Sequence, residues 1–252
     1  MKRFAVSLFI AALTITSLTV HAQGGLGRAI AEELGAITLS DAQVADYSKQ
    51  GVAQMDAQTP VAAPGDPYAQ RLERIVARHH TISGVPVNYK VYLIKDVNAF
   101  AAGDGSVRVF KGLMDMMTDG ELIAVIGHEM GHVVHRDTHT AMKRSLQQAA
   151  IRDGLGAISP AAGRFSQSQA AAVFSGLVGA KFSRAQETAA DDYSYGFLKK
   201  NGYNVMALAT SFEKLAKLGG GGGTLEFLSD HPDSAKRAQR VRDHARRDGL
   251  AR

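Results

Sequence analysis

The segment His128-Glu129-Met130-Gly131-His132 carries the strongest chemical signal in the 252-residue sequence. It follows an apolar stretch, residues 122–126, which predicts that it lies on a buried helix. Residues four apart on a helix lie about 40° apart around its axis, so both imidazoles project to one side and can chelate one metal ion. Glu129 lies about 100° round from His128, where it flanks the ion and can take a proton from the water that a metal activates.

Surface histidines on an ordinary helix are the alternative interpretation of this pattern. The chain has nine histidines, and chance produces the five-residue pattern in roughly one such chain in a hundred. His135 and His139 form competing pairs at helical spacing, but neither pair encloses a glutamate. The sequence therefore favours His128 and His132 as the ligand pair.

A third ligand is needed, because catalytic zinc takes three protein ligands and keeps a fourth position open. The chain has no cysteine, which leaves His, Asp or Glu. Glu187 is the best candidate, since Asp191 follows it by one helical turn on the same predicted face. One carboxylate can bind the metal while the other accepts the remaining N–H of a ligand histidine. Taken alone, this pair is better explained as a solvated helix face, so the assignment depends on the histidine motif.

His231-Pro232 precedes a basic helix that carries Arg237. A histidine fixed by proline outside a helix start can donate a hydrogen bond to the oxyanion that forms when water attacks a carbonyl. Arg237 can support that charge or brace a loop. A capped basic surface helix accounts for the same residues, so the residues alone leave both interpretations open.

Taken together, these elements resemble the HtpX-like zinc peptidases, the gluzincin family that also contains the CAAX prenyl endopeptidases. The resemblance rests on three separated motifs, which are residues 128–132, residues 187–191, and His231-Pro232 with Arg237. Further stretches are similar to the small exported bacterial members of the family, namely residues 86–92, 96–101, 112–119, 190–195 and 211–218. The similarity covers most of residues 38–247.

The resemblance implies an α+β, zincin-like peptidase domain that is mostly helical, with a small mixed sheet whose edge strand lines the active-site cleft. It implies one zinc ion per chain, held by His128, His132 and Glu187, with Glu129 as the general base.

The resemblance also assigns residues around the metal. Asp191 is expected to orient a ligand histidine, with Arg237 beside it. His231 is expected near the metal as a second catalytic residue, either steadying the oxyanion or transiently occupying the open position as an inhibitory ligand. The strand with which substrate backbone pairs is expected to comprise Asn98, Ala99, Phe100 and Ala101.

The activity implied is that of a zinc-dependent endopeptidase in bacterial envelope protein quality control, with misfolded, partner or outer-membrane proteins as substrates. An envelope chaperone or assembly factor that keeps a latent or inactive peptidase fold is the alternative. A deformylase uses the same short motif but takes a cysteine ligand, and this chain has none.

The first residues predict export. A cationic start, Met1 to Arg3, is followed by an uncharged apolar run to Val20, and Val20-His21-Ala22 offers a signal-peptidase site after Ala22. A membrane anchor is the alternative, but the run is short for a span. Without cysteine a lipid anchor is impossible, so we predict a soluble periplasmic protein, with peripheral envelope association left open.

The formal net charge of +5 is too small to predict a nucleic-acid partner, and no later stretch is long and apolar enough to span a bilayer. We predict a signal at 1–22, an N-terminal helical extension and linker at 23–66, and the peptidase domain at 67–252. Expected elements include a capped helix ending near Gln58, a strand within 86–95, and either a hairpin or two short strands around a glycine turn within 98–110.

Overall fold

The computed structural model describes residues 39–153, 174, 181–219 and 231–251 of the chain. The predicted signal and the segment that precedes His231 lie outside these residues. Among the described helices, none combines the length and the apolar character that crossing a membrane requires.

Helices dominate the described part of the chain, as the sequence predicts. They are α1 (Asp41–Gln58), α2 (Pro67–Val76), α3 (Lys111–Met116), α4 (Asp119–Val134), α5 (Asp137–Asp153), α6 (Arg184–Lys200), α7 (Met206–Gly219) and α8 (Ser234–Arg247). The strands are β1 (Thr81–Ile82), β2 (Val85–Pro86), β3 (Asn88–Tyr92), β4 (Ala99–Ala101) and β5 (Ser106–Phe110).

The main sheet is small and mixed, with the strand order β3-β5-β4. β5 pairs parallel with β3 and antiparallel with β4, which confirms the predicted hairpin and leaves β4 at an edge. The hairpin turn requires glycine at Gly105, where φ is 84° and an added Cβ would lie 2.0 Å from the Pro86 carbonyl oxygen. The predicted α+β fold, mostly helical with a small mixed sheet, is confirmed.

Both faces of this sheet are covered, because alternate residues of a strand point to opposite sides. On β5, Val107 and Val109 join the main core, which α4, α6, α7 and α8 also line. Phe110 points the other way, into a second core that includes Val44 and Tyr47 of α1. The predicted extension at 23–66 thus contributes a helix that packs on the main sheet, and its boundary at residue 67 stays a prediction.

An ionic network around the buried Arg108 fastens the C-terminal end of α1 to the sheet. The Asp56 carboxylate accepts two hydrogen bonds from Arg108, at 2.8 and 3.0 Å, one from Lys90 at 2.8 Å and one from Tyr92 at 2.8 Å. Arg108 is only 2 % exposed. Burial raises the pKa of Asp56, but the hydrogen bonds from Arg108, Lys90 and Tyr92 outweigh burial and lower that pKa to about 2.

Asp56→Ala is expected to lower the free energy of unfolding by about 3–5 kcal/mol, because it leaves the Arg108 guanidinium buried without its carboxylate. Since the pKa of Asp56 in the folded protein lies below the ordinary aspartate value of 3.8, this stabilisation is present above pH 4 and is lost as the pH falls towards 2. Chemical denaturation followed by circular dichroism measures the loss. Asp46→Ala, an exposed change on the same helix, is the control, and equal losses in the two variants would contradict the assignment.

Candidate metal centre

Helix α4 places the His-Glu-x-x-His segment inside the core. A capping box starts the helix: the Thr118 hydroxyl accepts from the Glu121 N–H, and the Glu121 carboxylate accepts from the Thr118 N–H at 2.8 Å. From Glu121 to His132 every residue of α4 is buried. His128, Glu129 and His132 are therefore held on a rigid, dry helix, where an ion's field is weakly screened.

Helix α6 approaches α4 closely because small residues line the contact. An added Cβ on Gly131 would lie 2.8 Å from the Ala190 Cα, so only glycine fits there without a shift. One helical turn away, the Ser194 hydroxyl donates to the Ala124 carbonyl at 2.7 Å. This close packing brings the acidic face of α6 against the histidine face of α4.

Four side chains converge at the contact between these helices. Ligand atoms of His128, His132, Glu187 and His231 all lie within 4.8 Å of one another, and all four residues are buried. The two histidine Nε2 atoms are 3.2 Å apart. The Glu187 carboxylate oxygens lie 3.4 Å from Nε2 of His132 and 3.6 Å from Nε2 of His128. The structure thus brings together the three predicted ligands and the predicted neighbour His231.

The far nitrogens of both histidines are held by carboxylates. His128 Nδ1 lies 3.0 Å from Asp191 Oδ1, and His132 Nδ1 lies 2.9 Å from Asp137 Oδ2. A carboxylate accepts the Nδ1 proton, so the Nε2 atoms of the two rings face the same point and are the atoms that a metal would bind. Two imidazoles and a carboxylate directed at one point are a donor set that suits Zn²⁺.

Asp137 is a residue of this cluster that sequence reasoning missed. It starts α5 just after Arg136, whose φ of 61° turns the chain sharply at the end of α4. Its second oxygen, Oδ1, accepts from Gln186 Nε2 at 2.7 Å, which links the start of α6 to His132. The sequence signal that could have identified Asp137 is its position as the first residue of the helix that follows the motif.

The competing histidines have other partners. His139 Nε2 lies 2.7 Å from the Leu39 carbonyl oxygen, and the His135 ring faces Tyr193 with centroids 6.2 Å apart. The face of His132 is covered by Phe182, which stacks on it at a centroid distance of 3.9 Å. Phe182 was also absent from the sequence-based prediction.

Arg237 lies behind the ligands and joins two of their carboxylates. Its Nη1 is 2.7 Å from Glu187 Oε2, and its Nη2 is 2.6 Å from Asp191 Oδ1. The guanidinium carbon of Arg237 lies 4.0 Å from the centroid of the Phe212 ring, in a cation–π contact. One guanidinium therefore fixes both the third ligand candidate and the carboxylate that holds His128.

Glu129 and His231 lie on the other side of the cluster. His231 Nδ1 is 2.9 Å from Glu187 Oε1 and 3.2 Å from His128 Nε2. His231 Nε2 is 3.6 Å from Glu129 Oε1. That glutamate oxygen is buried and has no hydrogen-bond partner among the described residues. A buried carboxylate oxygen beside converging ligand atoms is an unsatisfied acceptor that a protonated or metal-activated group would satisfy.

The electrostatics of the site follow from burial and its charged groups. Burial and the nearby Arg237 charge lower the pKa of His128 to about 3, which keeps that ring neutral and able to ligate. Burial opposes protonation of His132, but its bonds to Asp137 and Glu187 outweigh this and raise its pKa to about 9. Burial raises the pKa of Glu129, which suits a group that accepts and returns a proton near neutral pH.

The carboxylates at the back of the site are held ionised. Burial alone would raise the pKa of Glu187, but hydrogen bonds to His132 and His231 lower it strongly. Burial likewise opposes ionisation of Asp191, yet its contacts with His128 and Arg237 bring its pKa down to about 2. Both carboxylates are negative at neutral pH, as a ligand and its histidine partner need to be.

The edge strand β4 packs beside α4, the helix that carries the two histidines. Phe110 donates from its backbone N–H to the Asn98 carbonyl, and Ala102 donates to the Ser106 carbonyl. Even-numbered residues of β4 therefore bond to β5, and the backbone groups of Ala99 and Ala101 face the side without a paired strand. Both residues are buried, and the Ala99 N–H donates to Asn98 Oδ1 at 2.8 Å. Of the predicted substrate strand, Asn98 and Phe100 point their backbone groups inward.

A site of this kind, with histidines one helical turn apart and a glutamate from a second helix, defines the class of metal-dependent peptidases. The model for peptidase family M48 matches residues 67–245 of the chain. The chain belongs to peptidase family M48 and is a metalloendopeptidase.

Individual relatives agree with this assignment. The chain is 48% identical to Metalloprotease LoiP of Escherichia coli (strain K12) over 90% of each chain. It is 46% identical to Metalloprotease YcaL of the same organism over 82% of each chain. A shorter match, 47% identical over 22% of each chain, relates it to Protease HtpX of Legionella pneumophila subsp. pneumophila. The predicted resemblance to the HtpX-like peptidases is therefore confirmed.

Proposed function

We propose that this metalloendopeptidase uses one zinc ion per chain, held by His128, His132 and Glu187, to hydrolyse peptide bonds of unfolded proteins. The observation that carries the proposal is the pair of Nε2 atoms, 3.2 Å apart, with their Nδ1 atoms held by carboxylates. Two lone pairs that face each other repel unless a cation or a proton lies between them. Zinc at this point would activate a water molecule and polarise the carbonyl of the bond to be cut.

The side chains of the protein carry out the proton transfer and hold the metal ligands in position. Glu129 takes the proton of the attacking water and passes it to the leaving amine, which its burial and raised pKa favour. Asp191 and Asp137 fix the ring orientation of the two histidines, and Arg237 holds Glu187 and Asp191 in place.

His231 has two candidate roles, and its position favours one for the resting protein. Its Nδ1 lies among the ligand atoms, 2.9 Å from Glu187 Oε1. We propose that it covers the site at rest, withdraws when substrate binds, and then donates to the oxyanion through the same ring. The proline that follows, Pro232, restricts the backbone between His231 and the start of α8.

The substrate is proposed to pair with the outward backbone groups of Ala99 and Ala101, as an added strand at the edge of the sheet. Because backbone pairing does not depend on the side chains of the substrate, it allows a protease to bind unfolded or outer-membrane proteins of varied sequence. The predicted signal at residues 1–22 supports action in the periplasm, as a soluble or peripherally attached protein of the bacterial envelope.

The alternative function, an envelope chaperone with a latent peptidase fold, is favoured by one observation. All residues of the metal cluster are at most 4 % exposed, so substrate reaches them only after the site opens. A chaperone would bind unfolded protein equally well with and without metal.

Removal of the metal tests the proposal. After treatment with a strong zinc chelator, cleavage of a denatured reporter protein is expected to stop, and stoichiometric Zn²⁺, but not Mg²⁺, is expected to restore it. Gel electrophoresis with mass spectrometry of the products measures the cleavage. Undiminished cleavage by the metal-free protein would contradict the proposal, and aggregation suppression without cleavage in either state would favour the chaperone.

A further inference from the structure

The start of α6 contacts the ring of His132 by two routes. Phe182, the residue before the helix cap, stacks on the face of the ring with centroids 3.9 Å apart and an angle of 16° between the planes. Gln186 donates from Nε2 to Asp137 Oδ1 at 2.7 Å, and the other oxygen of Asp137 lies 2.9 Å from His132 Nδ1. The next residue, Glu187, is the third ligand candidate. One short segment therefore supplies one ligand and holds another.

The orientation of the Gln186 amide is fixed by its other hydrogen bonds. Its Oε1 accepts from the Ser183 N–H at 2.9 Å and from the Ser183 hydroxyl at 2.9 Å, as part of the capping box of α6. Because the carbonyl end of the amide is occupied in this way, the Nε2 end faces Asp137, which is only 5 % exposed. An amide donates from its nitrogen alone, so Gln186 presents a donor to the carboxylate of Asp137.

A capping box does not by itself require glutamine at residue 186, because glutamate serves the same purpose. Helix α4 has glutamate at the equivalent position, in the box formed by Thr118 and Glu121. A negative charge near a helix start is also favourable. Glutamate at residue 186, however, would place a second carboxylate where the amide now bonds to Asp137 at 2.7 Å, and two carboxylates have no donor between them. The need for an amide therefore comes from Asp137 and not from the helix.

We propose that Gln186 is a positioning residue of the metal centre, which holds Asp137 so that this carboxylate accepts the Nδ1 proton of His132 and leaves Nε2 for the metal. The inference rests on the proposed function, since it takes His132 as a metal ligand. If Asp137 turned away, the ring would be free to rotate or to carry its proton on Nε2, and either change weakens the ligand. Gln186 acts on the metal through Asp137.

Zinc affinity, measured by competition with a chromophoric chelator, tests this role. Gln186→Glu keeps the acceptor of the capping box but loses the donor to Asp137, and zinc affinity is expected to fall about 10–100-fold. Gln186→Met removes the donor without adding a charge, and a smaller loss of about three- to tenfold is expected. Gln43→Glu makes the same change in the capping box that Ser40 and Gln43 form at the start of α1, and it should leave zinc affinity unchanged.

Exchange of the two interacting groups distinguishes positioning from a general loss of structure. Asp137→Asn alone is expected to lower zinc affinity about 10–100-fold. Its amide nitrogen faces either the Gln186 donor or His132 Nδ1, and the second orientation moves the ring proton to Nε2. In the double variant, Asp137→Asn with Gln186→Glu, the new amide donates to the new carboxylate and still accepts from the ring. The double variant is therefore expected to bind zinc at least as tightly as either single variant.

The results separate this inference from the proposed function. Circular dichroism checks that each variant folds, and Gln186→Met carries the comparison if Gln186→Glu does not. Unchanged zinc affinity in the folded Gln186 variants, or losses that multiply in the double variant, would overturn the positioning role while leaving the peptidase assignment intact. If the unsubstituted protein bound zinc no better than Glu187→Ala, the proposed function would fall and the inference with it.

Discussion

Glu129→Gln is expected to lower kcat/KM towards an unfolded protein by about 10²–10⁴-fold while zinc stays bound. The amide has the shape of the carboxyl group but cannot accept the proton of the attacking water. The Glu129 carboxyl lies beside the ligand cluster, and its Oε1 has no hydrogen-bond partner among the described residues. Neutralising it therefore removes a proton acceptor and breaks no hydrogen bond of that oxygen.

Two measurements check this expectation, namely the initial rate of cleavage and the zinc content by mass spectrometry. Glu213→Gln makes the same chemical change on α7, where Glu213 pairs with Arg242, and should leave the rate unchanged. A Glu129→Gln protein that retains zinc and cleaves at the normal rate would remove Glu129 from its role as general base.

Glu187→Ala is expected to have the second large effect, a loss of zinc affinity. Even a residue that only orients a ligand contributes 10–100-fold to affinity, so loss of one of three ligands should cost more than about 100-fold. Glu187 is also the meeting point of His132, His231 and Arg237. Its removal leaves the dication without a negatively charged ligand at the Nε2 side of the two rings, because Asp191 and Asp137 contact the Nδ1 side.

Competition with a chromophoric chelator measures this affinity. Glu187→Gln keeps the side-chain volume and separates loss of the ligand from loss of packing, and circular dichroism checks that both variants fold. Glu213→Ala is the matched control. Unchanged affinity in both Glu187 variants would show that the carboxylate is not a ligand, whatever its distance from the histidines.

Local spacing is what made the core of this site predictable from sequence. The pairs His128 with His132 and Glu187 with Asp191 each lie one helical turn apart, and helix geometry alone puts each pair on one face. The Gly131–Ala190 contact then decides that the two faces meet. The sequence indicated that small residues of α6 would allow a close approach to α4. It did not indicate that Gly131 would be the residue of α4 in contact with them.

Contacts that depend on tertiary packing were not predictable in this way. Asp137 reaches His132 because the chain reverses at Arg136, where a non-glycine residue adopts φ 61°. Phe182 stacks on the same ring from just outside α6. No periodicity in the sequence reports either arrangement.

The orientation of β4 illustrates the same limit for strands. In a strand over residues 98–101, alternate residues turn their backbone groups to opposite sides. Which of them bond to β5 and which point away from it depends on the pairing register with β5. The contact between Ser48 and Gly103 joins residues far apart in the sequence, and it follows from α1 packing on a sheet that the sequence assigned to another domain.

A crystal of the zinc-loaded protein, measured on both sides of the zinc absorption edge, tests the central claim most directly. The account predicts one anomalous peak per chain, within coordination distance, about 2.0–2.2 Å, of Nε2 of His128, Nε2 of His132 and a carboxylate oxygen of Glu187. A peak bound elsewhere, or one at the two histidines with Glu187 turned away, would contradict it.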